Sequence, residues 1–319
     1  MPWHASGSYA AGPRFATHVR VVASPCATID RRREGGQVSR AHQGGSGVSV
    51  NPDIDAVTVL IAQVSADLVL PRFRSLRAGD VSSKAGFGDT EDIVTVVDRE
   101  VETALTDGLR SIVEAPVLGE EAAAADRSIL DRVHADGYLW VVDPLDGTRN
   151  FASGSDGFGV MVSLVRDRQV RASWVYLPVR QEAFVAESGS GAFLNGQRIR
   201  VATAAHDPLR ATLFVRFMPE ARRTVVLARL DGRYVQAASC GAAAVEYTDV
   251  LRGRKDFVVY YRLLPWDHGA PAFVLTEAGG AATHLDGSAY AITSPSQVTV
   301  LTRDTALSTR VRGWIGDLA

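Results

Sequence analysis

The sequence predicts a layered α/β protein, because helical and β-strand patterns occupy separate stretches of one long chain. An amphipathic helix precedes a series of short strands that begins after Pro116, and helices and strands alternate after about residue 205. At 319 residues the chain is near the practical limit of a single core, which favours one large domain or two coupled halves. We expect a first half over residues 51–205 and a second half over residues 206–319.

The composition excludes several classes of function. The 34 Lys and Arg residues against 36 Asp and Glu residues give a formal net charge of -2, so general electrostatic binding of nucleic acid is not expected. No stretch approaches the roughly 18 apolar residues of a transmembrane helix, and the first residues lack the pattern of a secretory signal. Cys26 and Cys240 form neither a disulfide framework nor a zinc-like spacing. We expect a cytoplasmic protein that binds no membrane and no nucleic acid.

Residues 1–50 differ from the rest of the chain. They carry six Arg residues against two acidic residues, with Gly and Ser throughout and without a sustained apolar period. This composition predicts a mostly disordered N-terminal extension.

Two amphipathic helices are predicted before Pro116. The apolar residues of the first recur at helical spacing and are Ile54, Val57, Ile61, Val64 and Leu68. The second helix covers Asp98 to Ile112, and Asp98 at its start can cap free backbone amides. Both apolar stripes are expected to face the core.

Short β-rich runs follow, separated by turn signals at 166–168 and 195–196, which predicts consecutive antiparallel strands. The runs are Val117-Leu118, Tyr138 to Val142, Gly159 to Val165, Val170 to Leu177 and Ala183 to Ala186. Later strands are predicted over Leu213 to Phe217 and Phe257 to Tyr261, and later helices over Gly241 to Leu251 and Trp266 to Ala278.

Carboxylates recur in four short segments where local propensity does not require them. The segments are Asp92 to Asp98, Gly119-Glu120-Glu121, Trp140 to Phe151, and Trp266-Asp267. Two carboxylates about 4 Å apart repel by roughly 4 kcal/mol at an effective dielectric of 20, so converging acids need cations. Because all the candidate ligands are oxygens, Mg²⁺ or Mn²⁺ is favoured over zinc, and Mg²⁺ suits phosphoryl chemistry.

The segment Trp140 to Phe151 is the most informative of the four. A β-branched strand leads into Asp143, and Pro144 is expected to end the strand because it cannot donate to the ladder. Asp146 follows, and Gly147 permits a backbone that brings both carboxylates to one point. Gly147 and Thr148 could then present free amides to a phosphate where a helix begins.

With these segments the sequence resembles the inositol monophosphatase family of magnesium-dependent, typically lithium-sensitive phosphatases. The resemblance runs from about residue 51 to the C-terminus and includes the later run Glu277-Ala278-Gly279-Gly280. It implies a layered αβαβα sandwich of the inositol monophosphatase and fructose bisphosphatase type. It also implies two or three Mg²⁺ ions, with Mn²⁺ as a substitute, and a homodimer.

The resemblance also implies roles for individual residues. The metal ligands would be the carboxylates of Glu120, Asp143, Asp146 and Asp267 with the backbone carbonyl of Leu145. Asp98 and Thr148 would orient and activate the attacking water. Backbone amides of Gly147 and Thr148 would hold phosphate oxygens.

The resemblance weakens at the residues that would select the substrate. Tyr260 stands where inositol-specific members usually carry Glu, seven residues before the final Asp. Arg149 follows Thr148 where many inositol enzymes have another Thr. The segment Ser239 to Ala243 resembles one that lines the family's pocket, which makes Ala243 a candidate substrate contact.

Three functional hypotheses follow. The first is a Mg²⁺-dependent phosphatase of a small monoester such as inositol 1-phosphate. The second is a phosphatase of histidinol phosphate, fructose 1,6-bisphosphate or adenosine 3′,5′-bisphosphate on the same scaffold. The third is a metal-binding regulatory protein without turnover. The pairing of Asp98 with Thr148 favours an enzyme, since a binding protein has no need to activate water.

Several of these residues also have purely structural interpretations. Trp140 and Trp266 are expected in the core, and His268 on a helix surface or in packing. Thr148 could cap the helix that follows it.

Overall fold

The computed structural model describes residues 52–77, 79–84 and 92–317. Helices and sheets alternate in five layers. The layered αβαβα sandwich that the sequence predicted is confirmed. The N-terminal extension expected over residues 1–50 lies outside the described residues. The described residues fall within one compact unit, so the division at residue 205 stays a prediction.

The described α-helices have the following bounds. They are α1 (Ile54–Val64), α2 (Val96–Ile112), α3 (Glu120–Ala125), α4 (Thr148–Ser153), α5 (Glu220–Leu230), α6 (Ala243–Leu251), α7 (Pro265–Glu277) and α8 (Thr305–Ile315). A π-helical turn at Ser65–Val69 continues α1, and 3₁₀ segments lie at Arg127–His134 and Pro178–Arg180.

The larger sheet has its strands in chain order and is antiparallel except where its first two strands pair in parallel. Its strands are β3 (Val117–Gly119), β4 (Tyr138–Asp146), β5 (Gly159–Arg166), β6 (Gln169–Leu177), β7 (Glu182–Glu187), β8 (Gly191–Leu194) and β9 (Gln197–Ile199). A separate antiparallel pair is formed by β1 (Val81–Lys84) and β2 (Asp92–Thr95).

The smaller sheet has the order β11-β10-β12-β14-β13. Its strands are β10 (Arg210–Phe214), β11 (Val235–Gln236), β12 (Phe257–Tyr261), β13 (Ala281–Thr283) and β14 (Val298–Thr302). β10 is parallel to both β11 and β12, whereas β14 runs antiparallel to its neighbours.

The alternation of side chains along the strands divides the core between the layers. Trp140 and Val142 of β4 pack with α1 and α2 on one face of the larger sheet, whereas Met161 of β5 faces the layer of α6 and α7. Val259 of β12 packs toward α5 and α8 on the far side of the smaller sheet. The predicted apolar stripes of α1 and α2 are buried as expected.

Two predicted strand limits are wrong. β4 does not end at Pro144 but continues to Asp146, because a shift in register between Asp143 and Asp146 lets the sheet accommodate the proline. The strand expected over Leu213 to Phe217 is β10, Arg210–Phe214. The apolar residues after Phe214 form a turn, in which the amide of Met218 donates to the carbonyl of Val215.

The other predicted helix and strand limits agree with the structure to within a few residues. The strand over Phe257–Tyr261 is confirmed at both ends, and both predicted turns contain residues with positive φ. No helix among the residues described here is both long and apolar enough to cross a membrane.

Candidate active site

Three carboxylates from distant parts of the chain meet at one point. Glu120, Asp143 and Asp267 each place an oxygen within 4.8 Å of the other two, and we call these residues the acidic cluster. β3 and β4 are parallel with Gly119 opposite Val142, so Glu120, the first residue of α3, lies beside Asp143, the next residue of β4. Asp267 enters from the first turn of α7.

The environment of the acidic cluster opposes negative charge. Burial, followed by repulsion from Glu120, Asp146 and Asp267, raises the pKa of Asp143 well above its ordinary value. Burial and repulsion from Glu120 and Asp146 do the same for Asp267. Buried carboxylates need a compensating cation, and an all-oxygen donor set suits Mg²⁺ or Mn²⁺. The residues present therefore fit the divalent ions that the sequence predicted.

Lys84, at the end of β1, also faces the acidic cluster. Its ammonium group donates to Glu120 at 2.8 Å and contacts Glu121. Burial opposes its charge, but attraction from Glu120 and Glu121 prevails and raises the pKa of Lys84. This lysine was not among the predicted site residues, because it ends a short polar strand that carries no periodic signal.

Glu102 fixes the start of α3 and was also missed. Its carboxylate accepts the backbone amides of Glu121 and Ala122 at 2.8 and 2.9 Å. Burial raises the pKa of Glu102 to about 7, although the two amide bonds lower it. The available signal was its spacing of four residues from Asp98, which places both side chains on one face of α2.

Asp146 lies beside the acidic cluster and contacts a second helix. Its two oxygens accept the backbone amides of Ala243 and Ala244 at 3.1 and 2.6 Å, at the start of α6. Burial raises the pKa of Asp146 to about 7 against the lowering effect of these bonds. A carboxylate has about four lone-pair directions, so Asp146 keeps capacity for a further ligand. Ala243, a predicted substrate contact, thus supplies its amide to Asp146.

Gly147 makes this approach possible. Its φ of 84° lies in the left-handed region, where a side chain would be strained. A Cβ on Gly147 would stand 2.8 Å from both the Cβ of Ala242 and the carbonyl oxygen of Gly157. The glycine therefore allows β4, α4 and the segment before α6 to meet closely.

Asp98 and Thr148 form a hydrogen-bonded pair. The Thr148 hydroxyl lies 3.0 Å from Oδ1 of Asp98 and 3.0 Å from the carbonyl oxygen of Leu145. The other oxygen of Asp98 accepts the amide and hydroxyl of Thr95 at 2.8 and 2.5 Å. Burial raises the pKa of Asp98, although the bonds from Thr95 lower it.

Asp98 accepts a free backbone amide at the start of α2, as the sequence predicted, whereas the predicted capping of α4 by Thr148 is wrong. The residue that caps α2 is Thr95, and Asp98 completes a reciprocal capping box from the third helical position. Gly147 occupies the capping position of α4, so the Thr148 hydroxyl serves Asp98 and Leu145 instead. Both side chains are fixed by contacts within the site.

The other predicted residues occupy different environments. Trp140 and Trp266 are buried, as expected, and Arg149 is exposed on α4. His268 is buried with its Nδ1 2.9 Å from the hydroxyl of Tyr247, and burial lowers its pKa to about 3. Its packing role is confirmed and the helix-surface alternative is wrong. Tyr260 is only 8% exposed and lies among aromatic rings.

A buried ion pair supports the segment before α6. Glu246 and Lys255 are 0% and 4% exposed and contact each other directly. Glu246 accepts the amide of Cys240 at 2.5 Å, and the carbonyl of Cys240 accepts the side-chain amide of Asn150 at 2.7 Å. The pair therefore connects the segment before α6 to α4, which begins at Thr148.

The five-layer sandwich places buried carboxylates in an arrangement that could hold metal ions. Residues 52–313 match the model of the inositol monophosphatase family, and the chain belongs to that family. Phosphatase activity is supported at the level of the family.

Individual relatives agree with this assignment. A fructose-1,6-bisphosphatase/inositol-1-monophosphatase of Thermotoga maritima is 34% identical over 66% of this chain and 77% of its own. A Nus factor SuhB of Pseudomonas aeruginosa is 34% identical over 68% of this chain and 80% of its own. The solved structure of a T. maritima IMPase has a TM-score of 0.67 at 28% identity, covering 82% of this chain and 95% of that one.

Proposed function

We propose that this protein is a Mg²⁺-dependent phosphatase that hydrolyses a small phosphate monoester resembling inositol 1-phosphate. The observation that carries the proposal is the convergence of Glu120, Asp143 and Asp267 within 4.8 Å. Burying three carboxylates destabilises the fold unless cations bind to them. The acidic cluster is therefore better explained by a role in metal binding than by a role in stability.

The metal ligands would be the acidic cluster, Asp146 and the carbonyl of Leu145. Two or three divalent ions, Mg²⁺ or substituting Mn²⁺, would fit these donors. When bound, such ions neutralise phosphate charge and lower the pKa of a coordinated water. Lys84 balances part of the same negative charge through its contacts with Glu120 and Glu121.

The chain's own contribution to water activation would come from Thr148 and Asp98. The Thr148 hydroxyl lies equally close to two acceptors, the Asp98 carboxylate and the Leu145 carbonyl. Because these contacts use its proton, the lone pairs of its oxygen can accept a proton from water. As the water attacks, the Thr148 oxygen would accept the water's proton and the Thr148 hydroxyl proton would pass to Asp98, which would become a neutral carboxyl. Its raised pKa makes the carboxylate a better base than an exposed aspartate.

The backbone at the start of α4 would hold the phosphate. Gly147 joins β4 to α4 and Thr148 is the first residue of α4, with Asp146 immediately before them. Amides at a helix start attract phosphate oxygens, and proximity to Thr148 would place the phosphorus next to the attacking water. Arg149, Ala243 and Tyr260 stay proposals as substrate contacts.

Other predictions about partners follow the same proposal. The substrate would be a small phosphorylated metabolite, with histidinol phosphate, fructose 1,6-bisphosphate or adenosine 3′,5′-bisphosphate as alternatives to an inositol phosphate. The homodimer and the cytoplasmic location stay predictions, as does the expectation that no nucleic acid binds. A relative described as a Nus factor makes a regulatory role the non-enzymatic alternative.

A phosphate-release assay over these substrates tests the proposal. We expect hydrolysis with Mg²⁺ or Mn²⁺, loss of activity with EDTA, and recovery when metal is restored. Asp143→Asn should be inactive, whereas Asp107→Asn, which removes an exposed carboxylate on α2, should keep full activity. Absence of turnover on every substrate in the presence of either metal would refute the enzyme and favour the regulatory role.

A further inference from the structure

The helix start that holds Asp146 begins at an alanine. Ala242 occupies the capping position of α6 and has no side-chain oxygen to accept a backbone amide. The amides of Ala243 and Ala244 donate instead to the two oxygens of Asp146, at 3.1 and 2.6 Å. Because these bonds fix the direction of both oxygens, the position of the α6 start decides how Asp146 faces the acidic cluster.

Three hydrogen bonds fix Cys240, which leads into this helix. Its amide donates to Glu246 at 2.5 Å, and its carbonyl accepts the side-chain amide of Asn150 at 2.7 Å. Its thiol donates to a carboxylate oxygen of Asp249 at 3.1 Å. Glu246 and Asp249 are three residues apart on α6, so two side chains from one face of the helix bind the segment that precedes it.

Lys255 completes this arrangement from the segment that follows α6. Its ammonium group contacts Glu246 directly and lies 3.5 Å from the sulfur of Cys240. Its backbone amide donates to the carbonyl of Asp249 at 3.3 Å. We call Cys240, Glu246, Asp249 and Lys255 the α6 clamp.

The ion pair of the α6 clamp is not explained by stability alone. A buried ion pair rarely stabilises a fold more than apolar side chains of the same volume do. Glu246 is also close enough to repel the charge on Asp146, and Lys255 balances that charge. Glu246 therefore has a use that an apolar residue could not supply, which is to accept the Cys240 amide.

We propose that the α6 clamp is a positioning device that sets the affinity for divalent metal, because it holds the Ala243 and Ala244 amides against Asp146. The inference rests on the proposed function, in which Asp146 is a metal ligand. Groups that orient a metal ligand typically change metal affinity by about 10- to 100-fold when they are removed. Loss of the clamp should therefore raise the metal concentration needed for activity and leave KM at saturating metal nearly unchanged.

Two double variants test the clamp. The acceptor-retaining variant, Glu246→Gln with Lys255→Met, removes both charges but keeps an oxygen that can accept the Cys240 amide. The acceptor-free variant, Glu246→Met with Lys255→Met, removes both charges and that oxygen. Replacing a buried ion pair by uncharged side chains of similar volume is often neutral in stability, so both variants should fold.

Equilibrium dialysis against Mn²⁺ and amide hydrogen exchange of the full chain measure the outcome. We expect the acceptor-free variant to bind Mn²⁺ about tenfold more weakly than the wild type, and the acceptor-retaining variant to bind it nearly as tightly. In the metal-free protein, the Ala243 and Ala244 amides should exchange faster only in the acceptor-free variant. Arg303→Met breaks another buried ion pair, with Asp256 before β12, and should lower Tm without changing Mn²⁺ affinity.

The possible failures are distinguishable. Equal Mn²⁺ affinity in the two double variants would overturn the clamp, as would exchange of the Ala243 and Ala244 amides in the metal-free wild type at the rate of exposed loop amides. Either result leaves the proposed phosphatase intact. If the wild type itself binds no Mn²⁺, the proposed function fails and the role of the clamp fails with it.

Discussion

Replacing Asp143 with Asn should stabilise the metal-free protein while it abolishes metal binding. Asp143 is 1% exposed, and an oxygen of it lies within 4.8 Å of oxygens of Glu120 and Asp267. At 4.8 Å each pair of charges repels by about 3.5 kcal/mol with an effective dielectric of 20. Two such pairs would amount to about 7 kcal/mol if all three groups were ionised.

Proton uptake limits this cost. Protonating a carboxyl with an ordinary pKa of 3.8 at pH 8 costs about 6 kcal/mol. The metal-free protein can bear this cost instead of the repulsion, so the stabilisation gained from Asn cannot exceed about 6 kcal/mol. Asn can still accept the Leu145 amide, which donates to Oδ1 of Asp143 at 3.1 Å. We therefore expect a gain of about 2 kcal/mol or more, or roughly 4 °C or more in Tm for a domain of this size.

Thermal unfolding at pH 8 with EDTA and with Mg²⁺ measures both effects. The wild type should gain stability from Mg²⁺, whereas Asp143→Asn should start higher in EDTA and gain little. Asp107→Asn is the matched control for loss of one negative charge and should follow the wild type. A variant that is less stable than the wild type in EDTA, or that still responds fully to Mg²⁺, would refute the reasoning.

Three further predictions concern the site and the buried ion pair that supports the segment before α6. Thr148→Ala should lower kcat by about 10²–10⁴ with little change in KM or in the Mg²⁺-induced Tm shift, and an unchanged kcat in steady-state assays would exclude its role. Because the folded-state pKa of Asp146 is raised from 3.8 to about 7, the chelated protein should lose stability as the pH rises through that interval. Mg²⁺ should therefore raise Tm more at pH 8 than at pH 6, and calorimetric scans that give the reverse order would contradict this. Lys255→Met should destabilise by about 3–5 kcal/mol in urea unfolding, because Glu246 keeps an uncompensated buried charge. Adding Glu246→Gln should recover most of that loss, and a double variant no better than Lys255→Met would count against the ion pair.

The layered fold was predictable because its periodic signals are strong. The stripe of α2 and the exact limits of β12 follow from apolar spacing alone. The end of β4 was not predicted correctly. Proline usually ends a strand, but β4 pairs with strands on both sides, and a register shift lets it continue past Pro144. The pairing of β4 with its neighbours, and not the residue type at Pro144, therefore sets where the strand ends.

The site was predictable in its carboxylates and less so in their supports. Asp143 and Asp146 stand in an unusual local sequence, whereas Lys84 and Glu102 reach the site through tertiary contacts between separate elements. The backbone amides that hold Asp146 belong to residues about 100 positions later, at the start of α6. The spacing of residues along the sequence does not indicate contacts of this kind.

Metal binding measured on the same sample as catalysis tests the central claim most directly. Equilibrium dialysis of the full chain against Mn²⁺ should show two or more bound ions per chain, and phosphate release should rise with their occupancy. Asp143→Asn should lose both the bound ions and the activity. A wild-type protein that retains no Mn²⁺ at millimolar concentration, or that hydrolyses esters equally well in EDTA, would contradict the account.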